Sequence, residues 1–221
     1  MALPEPLAAE FFCRCCRTPF LNQHALGEHG LCQTCRQGLV NFDAAYAFGS
    51  YEGALRDLIR LLKYGKVVTV ARPLSRRLLG ALPLNERFDL VMAMPMHWRK
   101  RWARGFNQAE LLARPVARRM GLKLANNLRR RRYTPPQASL DEAQRRQSPQ
   151  GSFAVRKAER VKGKRVLLID DVYTTGSTLR AGAEALKAAG AAHVSVLALA
   201  RADRRAWPAG EAAEMAMGAF G

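Results

Sequence analysis

The sequence predicts an α/β protein, a doubly wound and mostly parallel sheet with a small separate unit at its N-terminus. Three observations predict it. From Ala44 onward, apolar strand-like runs alternate with amphipathic helical stretches. All five cysteines fall within the first 35 residues. Residues 166–178 pass from an apolar run through two acids and a hydroxyl-rich turn into a helix. The expected organisation is a zinc-ribbon-like cysteine unit over 1–42, the α/β domain over 43–206, and a frayed Ala/Gly-rich tail over 207–221.

The elements follow in order. Ala44–Gly49 reads as a strand. Leu55, Leu58, Ile59 and Leu62 then lie at i, i+3, i+4 and i+7, one face of a helix that stops near Gly65. A second helix covers about 71–82, with Pro73 at a permitted early position. Phe88–Met94 is a short buried strand ending at Pro95. Asn107 with Glu110 forms an N-cap and capping box for a helix through Met120, which Pro115 is expected to kink or break. Residues 128–153 are polar, basic and proline-bearing, a long connection of the kind that is either a functional lid or a disordered stretch, with one short helix expected from Ser139. Arg165–Ile169 is a strand, Ser177–Ala189 a helix ending at Gly190, and Val194–Ala200 the last strand.

Composition narrows the function classes. With 48% hydrophobic residues the chain can bury a core. No run approaches the roughly eighteen apolar residues a membrane helix needs, so no membrane insertion is expected. Met1 to Pro6 lack a basic stretch leading into an apolar one, which makes the cytoplasm the expected location. The net charge is +18, and the cations cluster at His97–Arg104, Arg129–Arg132, Arg145–Arg146 and Arg156–Arg165. Such clusters attract polyanions or phosphorylated small molecules.

Cys13 and Cys16 form one C-x-x-C pair, Cys32 and Cys35 another, fifteen residues apart. Two such turns can direct four thiolates at one point, a closed tetrahedral shell suited to structural Zn²⁺. Disulfides or a redox pair are the competing reading, which a cytoplasmic setting disfavours. Cys15 is left spare, and His24 and His29 lie in the intervening loop.

Val166-Leu167-Leu168-Ile169-Asp170-Asp171-Val172-Tyr173-Thr174-Thr175-Gly176-Ser177-Thr178 carries the chemistry. In a parallel sheet, ligands bind at the carboxyl ends of strands. Free amides at the start of the next helix hold a phosphate there, Gly176 allows close backbone approach, and four hydroxyls add donors. Asp170 and Asp171 can accept hydrogen bonds from the vicinal hydroxyls of a ribose. The stretch reads as a ribose 5-phosphate cradle.

These thirteen residues resemble the phosphoribosyl pyrophosphate (PRPP) motif of type I phosphoribosyltransferases. The resemblance implies that fold, PRPP arriving with Mg²⁺, ribose contacts from Asp170 and Asp171, and a 5-phosphate site over Thr174–Thr178, with Val172 and Tyr173 inside the motif. A narrower resemblance, to the ComF/GntX family, rests on Tyr51-Glu52-Gly53, Lys63-Tyr64-Gly65, Pro95, Arg101, Arg104-Gly105-Phe106-Asn107-Gln108, Thr134-Pro135-Pro136-Gln137, Leu140 and Arg145, all in order. Ser148 departs from it, since the family often has Asn there. The resemblance implies a link to competence and use of DNA, with single-stranded DNA and a DNA-uptake helicase as candidate partners. Pro95, Met96, His97, Arg99 and Lys100 stand where type I enzymes hold pyrophosphate, with Arg101 and Arg104 as candidate catalytic cations; a solvated basic helix turn is the alternative. Thr174 replaces the acid that 6-oxopurine enzymes use for their base, and no N-terminal cysteine nucleophile is present, which disfavours hypoxanthine or guanine transfer and amidotransferase activity.

Overall fold

A computed structural model describes residues 11–15, 19–20, 23, 26–36, 41–131 and 151–202. Five strands form one parallel sheet: β3 (Ala44–Ser50), β4 (Leu90–Ala93), β5 (Leu124–Ala125), β8 (Arg165–Tyr173) and β9 (His193–Arg201), in the order β3-β9-β8-β4-β5. Both central strands are buried on each face, and Val166 to Ile169 are fully sealed from solvent. Alternation then splits the core. Leu167, Ile169, Leu197 and Leu199 meet α2 (Gly53–Lys63), α3 (Ala71–Gly80) and α5 (Gln108–Arg119) on one face. Val166, Leu168, Val194 and Val196 meet α6 (Ser177–Ala188) on the other. Helices on both faces confirm the doubly wound arrangement.

The N-terminal residues lie on the α6 side. β1 (Phe11–Phe12) and β2 (Pro19–Phe20) pair antiparallel, followed by the short α1 (Gln33–Arg36). Phe20, Cys13 and Cys32 belong to the same buried cluster as Phe42, Tyr173 and the α6 leucines.

Two expectations need correction. β8 does not stop at Ile169 but continues through Tyr173, so the acids are strand residues rather than loop residues. β9 extends far enough to pair with them: Asp170↔Ala198, Val172↔Ala200, Tyr173↔Arg201. Pro115 does not break α5, which runs unbroken from Gln108 to Arg119. Leu112, Ala113, Val116 and Ala117 are buried on either side of it, and Ser75 of α3 donates to the Leu112 carbonyl at 3.1 Å, so packing outweighs the one lost backbone bond.

The ends of the 128–153 connection also have structure of their own. β6 (Leu128–Arg130) and β7 (Phe153–Val155) pair antiparallel, Leu128 opposite Val155 and Arg130 opposite Phe153. The short helix expected from Ser139 and the tail from Pro208 lie outside the described residues.

Core and surface should respond differently to truncation. Leu168→Ala is expected to cost about 2–5 kcal/mol in chemical denaturation. Leu84→Ala, at a fully exposed position, should stay within about 0.5 kcal/mol.

Candidate active site

The site is set by a difference in strand length. β4 ends at Ala93 opposite Ile169, while β8 continues for four residues with, among the described residues, only β9 paired to it. This leaves Asp170 and Asp171 in a notch beyond the end of β4, at the carboxyl edge of the sheet. Both acids are half-buried.

Two neighbouring carboxylates in a partly dry setting repel each other. Burial pushes Asp170 up to about 7, repulsion from Asp171 adds to that, and the Asp171 amide, Lys63 and Arg130 pull the other way. The Asp171 amide donates to Asp170 Oδ1 at 2.9 Å. Lys63, the last residue of α2, reaches Asp171 Oδ1 with Nζ at 3.1 Å. Burial disfavours the Lys63 ammonium, but Asp171, Tyr51 and Asp170 outweigh it and hold its pKa above the ordinary lysine value. Lys63 is therefore a buried cation beneath the pair. Tyr51 lies in the same field, its phenol raised mainly by burial and further by Asp171.

The turn after β8 is tight. Gly176 has φ +73°, and a Cβ there would run into the Tyr173 ring. Thr175 Oγ1 donates to Ser177 Oγ at 3.1 Å and accepts from the Ser177 amide at 3.4 Å, while Arg180 Nη1 holds the Thr175 carbonyl at 2.9 Å. Thr175 and Thr178 are exposed, Thr174 and Ser177 half-buried, and α6 begins at Ser177. Within the motif, Val172 packs on the core and Tyr173 is buried against Phe42, so both of these side chains serve packing.

The basic segment forms α4 (Trp98–Arg104). His97 caps it, its Nδ1 accepting from the Arg99 amide at 3.3 Å. Asn107 ties β4 to α5: Nδ2 donates to the Met94 carbonyl at 2.9 Å and Oδ1 accepts from the Ala109 amide at 3.1 Å. Glu110 does not close a capping box through its side chain; its carboxylate meets Arg114 at 2.8 Å and Arg101 at 3.5 Å. A cavity of about 460 Å³ opens between this segment and β6. Pro95, Met96, His97 and Arg101 line one side, and Arg129, Arg130 and Arg131 the other. Arg99 and Arg104 lie off its wall, over the rings of Trp98 (5.4 Å) and Tyr64 (5.1 Å); Lys100 belongs to α4. Arg130 links this cavity to the acids: burial lowers its pKa and the charge of Asp170 raises it.

With this geometry in view, comparison with known proteins is decisive. Residues 107–211 match the phosphoribosyl transferase domain model. Competence protein F of Haemophilus influenzae is 32% identical over 180 residues, 77% of this chain and 78% of that protein. The DNA utilization protein YhgH of Escherichia coli K12 is 31% identical over 184 residues, 80% of each. The chain belongs to the ComF/GntX family. Its sheet is that of a type I phosphoribosyltransferase. The adenine phosphoribosyltransferase of Thermoanaerobacter pseudethanolicus aligns more loosely, with TM-score 0.37, 18% identity, and 64% and 83% of the two chains covered.

The family's cysteines gather as spacing predicts, as far as they are described. The Cys13, Cys32 and Cys35 sulfurs lie within 4.8 Å of one another, and the Cys32 amide donates to Cys13 Sγ at 3.3 Å. Three converging thiols can hold a metal ion. Cys16 lies outside the described residues, and Cys15 is exposed.

Lys63, Arg130 and Asn107 escaped the sequence reading as candidate site residues. Lys63 looks like an ordinary cation in the last turn of a helix, and Asn107 like a helix cap alone. Lys63-Tyr64-Gly65 and Asn107-Gln108 stand in the family segments, which is the signal that could have marked them.

Asp170 gives a pH prediction with a definite sign. An acid raised from 3.8 to about 7 keeps its proton in the folded state across that window, while the unfolded chain gives it up. Its contribution to stability therefore falls as pH rises through the window. Asp170→Asn cannot ionise, so its urea midpoint relative to wild type should rise at pH 8, and the advantage should shrink toward pH 4.

Proposed function

We propose that this protein binds PRPP with Mg²⁺ and transfers the phosphoribosyl group to an acceptor with release of pyrophosphate. The observation that carries the reading is the acidic pair at the tip of β8, braced by Lys63 and followed directly by the hydroxyl-lined turn into α6. Asp170 and Asp171 accept hydrogen bonds from the ribose 2- and 3-hydroxyls. The turn from Thr174 to Thr178 receives the 5-phosphate, with amides at the positive end of the α6 dipole. Mg²⁺ would arrive with PRPP and would offset part of the pyrophosphate charge. The cavity lined by Pro95, Met96, His97, Arg101 and the β6 arginines takes the anionic pyrophosphate; its one acid, Glu110, is already engaged by Arg101 and Arg114.

In the reaction, the bond from C1 to the pyrophosphate oxygen breaks with its electron pair going to the leaving group. The acceptor's lone pair forms the new bond to C1, and the acceptor's proton passes to solvent. Fixed arginines stabilise the charge on departing pyrophosphate without reorganisation. The cysteines, Cys16 included, are assigned to a structural Zn²⁺ that supplies folding energy to the N-terminal residues.

One observation favours an alternative reading, a non-catalytic accessory protein that binds single-stranded DNA. Trp98 and Trp102 on α4 are 55% and 87% exposed, next to Arg99 and Arg101. Exposed aromatics among cations are the elements of a single-strand binding surface, consistent with relatives named for competence and DNA utilization. In this reading the PRPP seat is a ligand site without turnover.

The two readings separate in one set of assays. Pyrophosphate release from PRPP over a panel of acceptors should fall on the order of 100-fold or more in Asp170→Asn/Asp171→Asn. Trp102→Ala, off the wall of the proposed pyrophosphate cavity, should leave release intact while weakening single-stranded DNA binding by about 1–3 kcal/mol. No release with any acceptor, alongside DNA binding that survives the Asp substitutions, would select the second role alone.

A further inference from the structure

Arg201 ends β9 and pairs across the sheet with Tyr173, which ends β8. Its guanidinium carbon lies 4.1 Å from the centroid of the Tyr173 ring and 4.9 Å from that of Phe20 in β2. Nε and Nη1 are sealed from solvent and have no hydrogen-bond partner among the described residues. Leaving guanidinium N–H groups buried and unpaired is costly, and such a group calls for an explanation. Here the rings are the partners. A guanidinium interacts favourably with aromatic faces, most strongly when water is excluded.

The two rings belong to different parts of the chain. Phe20 lies in the cluster of buried residues that includes Cys13 and Cys32. Tyr173 lies directly under the phosphate turn, where its ring occupies the space a Cβ at Gly176 would need. The backbone extends the link: the Ala202 amide donates to the Tyr173 carbonyl at 2.9 Å, and the Tyr51 amide donates to the Arg201 carbonyl at 2.9 Å. Tyr51 in turn lies in the field of Lys63 and Asp171.

We infer that Arg201 is a positioning residue that couples the cysteine-bearing N-terminal segment to the phosphate turn. Phe20 fixes the guanidinium against Tyr173, and the Tyr173 ring fixes the left-handed turn at Gly176. Disturbing the cysteine segment then loosens the ligand seat without touching any ligand-contacting residue. The ligand half of this inference rests on the PRPP reading given above; the coupling itself does not.

The test uses the full chain in four variants. Phe20→Leu removes the ring and Phe20→Tyr keeps it; Arg201→Met removes the charge and Arg201→Lys keeps it. Two quantities are read: amide hydrogen exchange over residues 173–178 in the ligand-free protein, and the Kd for PRPP with Mg²⁺. Phe20→Leu and Arg201→Met should speed exchange in that segment and raise Kd by about 3- to 30-fold, the range a desolvated cation–π contact commands. Phe20→Tyr and Arg201→Lys should recover most of both losses. Exchange that rises evenly through β8, β9 and α6, or a Phe20→Leu turn indistinguishable from wild type, overturns the coupling. If Phe20→Leu does not fold, the Arg201 pair decides by the same readings. Failure of the wild-type protein to bind PRPP, with the exchange pattern as expected, sinks the PRPP reading and leaves the coupling standing.

Discussion

Two adjacent carboxylates at the end of a buried strand are an unstable arrangement, and the contact of Lys63 with Asp171 makes it tenable. Placing a lysine in the interior is unfavourable on its own, and so is placing two acids there. Together they offset much of each other's desolvation, although such buried ion sets rarely improve on well-packed apolar residues. The arrangement is therefore better explained by binding than by folding. Lys63 engages Asp171 Oδ1 and the Asp171 amide engages Asp170 Oδ1, and burial with repulsion from Asp171 raises Asp170 to about 7. A polyol with vicinal hydroxyls is the kind of ligand whose donors suit such a pair, which is why the proposed ligand is a ribose.

The rest of the fold delivers the surrounding groups to that notch. The early end of β4 opens the crevice, and Asn107 fixes the chain there by joining the Met94 carbonyl to the first turn of α5. Between these two anchor points the chain forms α4, capped by His97. On the other side the paired β6 and β7 bring Arg130 close enough to feel Asp170. The arginines of β6 and Arg101 of α4 thus line one cavity, and Arg130 carries their charge toward Asp170 at the strand tip.

Much of this was legible in the sequence, for reasons that differ by element. The apolar run Val166–Ile169 and the heptad-like spacing of Leu55, Ile59 and Leu62 report burial directly, so strand and helix could be read from them. The acids and the turn were legible because their chemistry is local. The extension of β8 through Tyr173 was not, since Asp170 and Asp171 have poor strand propensity and only pairing with β9 holds them extended. The continuity of α5 past Pro115 was hidden in the same way, being decided by packing on the sheet. Lys63 and Arg130 act on acids 108 and 40 residues away, and Arg201 on rings of two other strands, and no spacing rule encodes such partners.

The central claim is that a ribose-bearing ligand draws ionised Asp170 into hydrogen bonding over its Lys63-braced neighbour. Carbon-13 carboxyl resonances of Asp170, followed near pH 6.5 before and after addition of PRPP with Mg²⁺, test it most directly. Without ligand, the carboxyl group should show a substantial protonated fraction, as a group titrating about 7 must. Saturation should move the signal to its ionised position and remove its midpoint from the neutral range. A signal already at the ionised position in the free protein, or one that does not respond to the ligand, would contradict the account.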